Sequence, residues 1–256
     1  MPRIGLLYPT RDCGEDDFLA LAEKLSPDLT VDFAYVPWGE NIGRVDELDA
    51  AGKHEAVREL GAPGRLVAAA RFGTAPDVVS WACSSCSFTR GLDGALEQSR
   101  VLGERLGVPA RSTSLAYLTA LAHLGAGRVA LASVYHRDTT ATFAAFLAEA
   151  GFSTVHSVSA DAPSDRALAA WDGPRIAELA AAADHDEADA VLIPETALHT
   201  TPLLEDLETS VGKPVLTATA VTLWDSLRAL GNPPIRQGLG ELFSRRACRA
   251  DPGGSS

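Results

Sequence analysis

The sequence predicts an α/β protein of two pseudo-symmetric halves, each a mostly parallel four-stranded sheet flanked by helices, with a ligand cleft between them. Three observations predict this. Short β-rich runs alternate with longer segments whose apolar residues recur at three- and four-residue steps, the pattern of parallel strands covered by helices. Gly107-Val-Pro-Ala-Arg-Ser-Thr-Ser114 aligns without gaps on Gly212-Lys-Pro-Val-Leu-Thr-Ala-Thr219. Polar, reactive side chains gather where the strand runs end, which is where open α/β sheets hold ligands. With 256 residues and 46% apolar content the chain has enough material for one sizeable core or two smaller ones.

In chain order, the strand runs are Ile4–Tyr8, Val31–Val36, Val78–Ala82 and a short one near Ala110, then Val129–Val134, Thr154–Val158, Ala190–Ile193 and Val215–Thr217. They fall into two sets of four. Helical spacing is read over Asp17–Leu25, Gly91–Leu106, Thr139–Ala150, Ile176–Ala183 and Leu203–Val211. Each copy of the repeat reads as a helix-ending glycine, a proline, a short strand, a Ser/Thr cluster, and an apolar helix that stops at Leu-Gly, at Leu124-Gly125 and at Leu230-Gly231. The stretch Trp38–Pro63, with Gly39, Gly43, Gly52 and Gly61 among many charges, reads as a peripheral helix-loop or a lid. The expected boundaries are residues 1–112 for the first half, 113–215 for the second, and 216–256 packing back on the first. Arg245–Ser256 reads as a tail in which Cys248 is a bystander.

The net charge of −12 disfavours attraction to nucleic acid or an anionic membrane, so the expected partner is a small molecule, with a homodimer left open. No apolar run approaches the roughly 20 residues of a membrane span, and Met1-Pro2-Arg3 leads straight into a strand, so a cytoplasmic location is expected. Four cysteines do not make a disulfide framework at this length, and a reducing compartment would keep them as thiols.

Four strand ends carry chemistry: Pro9-Thr10-Arg11-Asp12-Cys13, Cys83-Ser84-Ser85-Cys86-Ser87, Tyr135-His136 and Pro194-Glu195-Thr196. The third strand of one half ends on Cys83 and the third strand of the other on Glu195. If the halves face each other, a thiol and a carboxylate confront one another, a nucleophile or base with a group able to return a proton. Ser84 and Ser85 add donors beside the sulfur for a carboxylate or a developing enediolate. Asp12 reads either as a helix N-cap in an Asp-x-x-Glu box with Glu15 or as a residue lining the site. Tyr135 reads as a half-buried aromatic or a site phenol. Cys83-Ser-Ser-Cys86 is also formally a C-x-x-C pair open to thiol redox chemistry; no second pair supplies a four-thiolate zinc site, and the nearest histidines lie far away in sequence, so no structural zinc is expected.

Several segments resemble the Asp/Glu racemase superfamily, in its branch of maleate cis-trans isomerases and arylmalonate decarboxylases. Ile4-Gly-Leu-Leu-Tyr-Pro9 resembles the branch's opening strand, Ser84–Gly91 resembles the decarboxylase loop Thr-Ser-x-Ser-Phe-x-Arg-Gly, and Leu223-Trp-Asp-Ser-Leu-Arg228 resembles the Phe-Trp-Asp-Ala-Val-Arg run. The resemblance implies cofactor-free chemistry next to a bound carboxylate. It makes Cys83 the first-half cysteine, a glycine in the decarboxylases, and puts Glu195 where both groups have their second-half cysteine. Asp12 matches a substrate-binding asparagine of the isomerases, and an acid there suits a substrate with fewer negative charges or with an amine or hydroxyl. Ser84, Ser85 and Tyr135 match donors that cradle a carboxylate, Thr196 is a further donor, and Pro9 and Thr10 form the opposite wall. An arginine of the isomerases falls close to His199, for which helix capping or surface exposure is an equal reading. The implied activity is cis-trans isomerisation of a maleate-like acid. Arylmalonate-type decarboxylation, a racemase or lyase reaction, and small-acid binding without turnover stay open.

Overall fold

The computed structural model describes residues 1–38, 50–231 and 234–244. The first half runs β1 (Arg3–Tyr8), α1 (Glu15–Leu25), β2 (Thr30–Tyr35), α2 (Ala50–Leu60), α3 (Pro63–Ala69), β3 (Val78–Trp81), α4 (Ser85–Phe88), α5 (Gly91–Leu106) and β4 (Ala110–Ser112). The second continues α6 (Thr113–Leu124), β5 (Arg128–Ser133), α7 (Arg137–Glu149), β6 (Ser153–Ser159), α8 (Asp165–Ala169), α9 (Gly173–Ala183), β7 (Ala190–Ile193), α10 (Leu204–Val211) and β8 (Val215–Thr217). It is followed by α11 (Ala218–Ala229) and α12 (Glu241–Ser244).

The strands form two parallel four-stranded sheets of one topology, β2-β1-β3-β4 and β6-β5-β7-β8. The central strands β1, β3, β5 and β7 are almost wholly buried, whereas β2 and β6, at the sheet edges, alternate toward solvent. That difference is why the central strands read as unbroken apolar runs. In each sheet the chain passes from the first strand out to one edge and returns to the other side. The crevice between β1 and β3, and its counterpart between β5 and β7, is therefore a point where the strand order reverses, and ligands of open α/β sheets bind outside such points.

The repeat is realised residue by residue. Gly107 and Gly212 close α5 and α10 in the left-handed conformation, at φ 70° and 65°. Ser112 and Thr217 then cap the next helices, their side chains accepting from the N–H groups of Leu115 and Ala220. The two capped helices, α6 and α11, pack on each other, and the Oγ1 atoms of Thr113 and Thr222 share a hydrogen bond of 2.7 Å. Helix α11 also packs on β3, β4 and α1. One apolar cluster draws residues from both sheets, including Ile4, Leu6, Val129, Leu131 and Val191. A smaller cluster under α2, α3 and α5 holds Leu7, Leu60, Leu66, Trp81, Cys83 and Cys86.

Asp225 on α11 is fully buried and is bound by Arg111 of β4 at 2.6 Å and by Arg228 at 3.2 Å. A buried carboxylate is tolerated because it is paired, and removing one partner strands the other. Asp225→Ala is expected to cost about 3 kcal/mol, read as a lower urea midpoint with an unchanged denaturant slope.

Candidate functional site

The carboxyl ends of β1, β3, β5 and β7 open onto one cavity of about 290 Å³. Pro9, Thr10, Cys83, Ser84 and Ser85 line it from the first half, and Val134, Tyr135, Glu195 and Thr196 from the second. Eight of the nine residues expected at the site thus meet in one place. The ninth, Asp12, does not line the cavity. The loop after β1 turns at Asp12 through a left-handed φ of 58° and leaves its side chain exposed. Nor does Asp12 cap α1, whose first turn follows Gly14. Half of the expected capping box survives, because Glu15 reaches back to the N–H groups of Asp12 at 2.9 Å and Cys13 at 2.8 Å.

On the first wall, Cys83 stands between β3 and the single turn of α4. The three-residue spacing across that turn brings Cys83 and Cys86 to a Cα separation of 5.6 Å, and their sulfurs are joined in a disulfide. The expectation that all cysteines stay thiols is corrected here: the single turn between Cys83 and Cys86 sets their sulfurs in bonding position, a proximity that the count of cysteines did not weigh. The amide of Cys86 donates to Cys83 Sγ at 3.4 Å. Ser84 beside it lines the cavity, and its hydroxyl is buried and has no hydrogen-bond partner among the described residues. A buried orphan hydroxyl carries a desolvation cost that a bound acceptor removes.

The second wall is the chain just beyond β7, pinned by phenols from three different elements. Tyr117 of α6 donates to the Ile193 carbonyl at 2.7 Å, Tyr135 to the Pro194 carbonyl, and Tyr8 of β1 to the Thr196 carbonyl at 3.0 Å. Gly14 packs against the same segment, its N–H donating to Tyr8 Oη at 3.1 Å, and a side chain there would run into the Thr196 carbonyl. Glu195 is held between these pins and is 7% exposed. Burial pushes its carboxyl up to about 8, and the negative charge of Asp165 adds to the rise; the N–H of Ala197, at 2.8 Å, and the Tyr135 hydroxyl oppose it. At neutral pH Glu195 therefore holds a proton. Burial, reinforced by Glu195, raises Tyr135 well above the ordinary phenol value, so it stays a donor.

Sequence reasoning missed Asp165, which opens α8 beyond the edge strand β6 and accepts from Thr10 Oγ1 at 2.7 Å across the cavity. The signal available was Pro163-Ser164-Asp165, a helix start just past a strand end, with Ser164 accepting from the Ala167 N–H. Trp38, and Lys53, His54 and Val57 on α2, also line the cavity. Part of the Trp38–Pro63 stretch therefore borders the site; its residues 39–49 lie outside the described residues, as does Cys248. His199 pairs with Asp16 at 2.7 Å and does not line the cavity. Among the described residues no group of three or more His, Cys, Asp or Glu side chains is placed to hold a metal ion, and no helix is long and apolar enough to cross a membrane.

Two doubly wound halves that turn their strand ends onto one small cavity, with sulfur on one wall and a protonated carboxyl on the other, define a protein that handles a small ligand between matched half-sites. The chain belongs to the arylmalonate decarboxylase family, whose model matches residues 46–243. It is 32% identical over 169 residues to an arylmalonate decarboxylase of Bordetella bronchiseptica, covering 65% of this chain and 70% of the relative. It is 27% identical over 175 residues to a maleate isomerase of Pseudomonas putida, covering 66% and 70%. Among solved structures, it superposes with a TM-score of 0.78 on a liganded arylmalonate decarboxylase double mutant in which a glycine became cysteine and a cysteine became serine. That match has 27% identity over 95% of this chain and 99% of the other. The Nocardia farcinica maleate cis-trans isomerase, as a cysteine-to-serine mutant with a covalently bound succinylcysteine intermediate, has the same fold, with TM-score 0.75 and 22% identity over 94% and 98%.

Proposed function

We propose that this chain is a cofactor-independent enzyme acting on a small carboxylic acid, and that its dithiol form isomerises a maleate-like substrate through Cys83 with Glu195 as proton carrier. The observation that carries this reading is one cavity with the Cys83 sulfur on one wall and, on the other, the buried Glu195 carboxyl, which burial and the charge of Asp165 push toward its protonated form. A nucleophile and an acid on opposite faces suit addition to an activated double bond.

The substrate carboxylate accepts from the Ser84 hydroxyl and its neighbour Ser85. The Cys83 thiolate adds to one alkene carbon, and the displaced electron pair moves toward the carboxyl as an enediolate, stabilised by the same donors. Glu195 gives its proton to the carbon that now carries the charge, leaving a saturated thioether free to rotate about the former double bond. The Glu195 carboxylate then takes a proton back, the C–S bond breaks, and the thiolate leaves the trans acid. Protons and charge return to their starting places. Tyr135 holds the segment that carries Glu195, and Thr196, Thr10 and Pro9 complete the walls.

A second reading, decarboxylation of a malonate-like acid, is favoured by the family model and by the Ser84–Gly91 loop. There the serine donors hold the enediolate left by loss of carbon dioxide, and Glu195 or Cys83 protonates it. Reduced protein incubated in parallel with maleate and with an arylmalonate separates the two. Fumarate from maleate is the expected result, carbon dioxide from the arylmalonate alone selects the second reading, and inertness toward both rejects each of them.

A further inference from the structure

We propose that Cys83 and Cys86 form a reversible disulfide site, oxidised by hydroperoxides, whose closure withdraws the Cys83 sulfur from reaction at the cavity and whose reduction restores it. The part that concerns turnover rests on the reading of Cys83 as nucleophile; the site itself rests on the pair.

The geometry is already made. The sulfurs are joined across one turn of chain, with a Cα separation inside the range that a disulfide requires. Both residues border the cavity, so a small oxidant reaches them from the path that admits substrate. Cys83 is the outer of the two at 6% exposure and Cys86 the inner at 1%, which sets the order of events: the outer sulfur meets the oxidant and the inner one resolves it. The backbone beneath Cys86 is fixed, because the Gln98 amide donates to the Cys86 carbonyl at 2.9 Å and to the Gly61 carbonyl at 2.5 Å, tying α5 to α4 and to the end of α2. Cys86 packs with Leu60, Leu66, Trp81 and Leu102, surroundings that ask only for an apolar side chain. Closing the pair needs no rearrangement of the sheet. Cys13, the other described cysteine, is unpaired and buried in a different loop.

The chemistry balances with a hydroperoxide as the named oxidant. The Cys83 thiolate attacks one peroxide oxygen, the O–O bond breaks, and the other oxygen departs and takes up a proton, giving water from hydrogen peroxide or an alcohol from an alkyl hydroperoxide. Cys83 is now a sulfenic acid. The Cys86 sulfur attacks it, loses its own proton, and expels the hydroxyl as a second molecule of water while the S–S bond forms. The two thiols have lost two electrons and the peroxide has gained them. A dithiol returns both electrons and two protons by thiol-disulfide exchange through a mixed disulfide. While the bond is closed, Cys83 has no lone thiolate with which to add to a substrate or pick up a proton.

The test uses the full chain with hydrogen peroxide as the probe, and compares wild type with Cys86→Ala and, as a better-filled variant, Cys86→Val. Peptide mapping and iodoacetamide labelling are read alongside turnover of whichever probe acid the parallel assay shows to react. In wild type, near-stoichiometric peroxide is expected to yield the linked 83–86 peptide, with loss of Cys83 labelling and of turnover, and dithiothreitol is expected to return all three. The reduced Cys86 variants are expected to keep turnover; peroxide then drives their unprotected Cys83 to a sulfinic acid that dithiothreitol does not rescue. Peroxide that leaves both thiols free, or couples Cys83 to another cysteine, overturns the site. Full turnover by protein in which the 83–86 link is quantitative overturns the switch. Wild-type turnover by reduced Cys83→Ser sinks the nucleophile reading instead, and the mapping and labelling results then decide the disulfide site by themselves.

Discussion

In the reduced protein, Cys83→Ser is expected to lose roughly 10³-fold or more of turnover while the fold stays intact. Serine is close in size and sits at the same strand end, so packing around β3 and α4 changes little. Its hydroxyl, however, is scarcely ionised at neutral pH, and the groups that meet the Cys83 sulfur, Ser85 Oγ and the Cys86 N–H, offer no base to activate it. The loss is therefore chemical. Iodoacetamide should label Cys83 in reduced wild type, and a bound acid should slow the labelling. Cys13 serves as an internal control: burial, with the negative charge of Asp165 adding to it, pushes its thiol up to about 12, so it reacts far more slowly. Wild-type kcat in Cys83→Ser would remove Cys83 from the mechanism.

Glu195→Gln is expected to lower kcat by roughly 10²–10⁴-fold and to change KM little. Glutamine keeps the shape and can still accept from the Ala197 N–H, but it exchanges no proton. Its pH behaviour separates this role from a merely structural one. A carboxyl raised to about 8 is protonated at neutral pH, so a step that draws on its proton slows as the pH rises through 8, and this limb should be absent from the glutamine variant. Stability follows the same group. Because the folded value lies above the unfolded one, near 4.5, the folded state holds the proton more tightly. The contribution of Glu195 to stability is complete below about pH 4.5 and is lost as the pH rises toward 8. Glu195→Gln should flatten that decline, which thermal unfolding at pH 5 and pH 8 can read with no substrate present. Glu195→Cys is the complementary change, since it restores a sulfur on each wall. An unchanged kcat and pH profile in Glu195→Gln would make Glu195 structural and turn attention to Tyr135.

The fold was legible where the signal is local. Every strand run corresponds to an observed strand, because central strands of a covered parallel sheet must be apolar on both faces and their ends must turn. The helices after Ser112 and Thr217 were announced by a capping hydroxyl and a left-handed glycine, both effects of a few adjacent residues. Cys83 and Glu195 could be paired on paper because the same topology places the third strand of each half at the same reversal of strand order. Asp165 was not legible, for it reaches the cavity from beyond an edge strand whose sequence alternates, and its contact with Thr10 spans 155 residues. Asp12 stands next to β1 in sequence, yet one left-handed residue in the loop takes its side chain out to solvent.

By itself, the sequence determined the alternation of strands and helices, the two-fold repeat, the glycine and hydroxyl punctuation, and the set of reactive side chains at strand ends. These depend on periodicity and on the conformational limits of single residues. Only the tertiary structure decided which of those side chains share a cavity, that Cys83 is bonded to Cys86, and that Glu195 keeps its proton. The bond between Cys83 and Cys86 needs only one local turn, whereas the other two depend on chain remote in sequence: phenols from β1, α6 and the end of β5 hold the segment that carries Glu195, and burial, together with the charge of Asp165, raises its carboxyl.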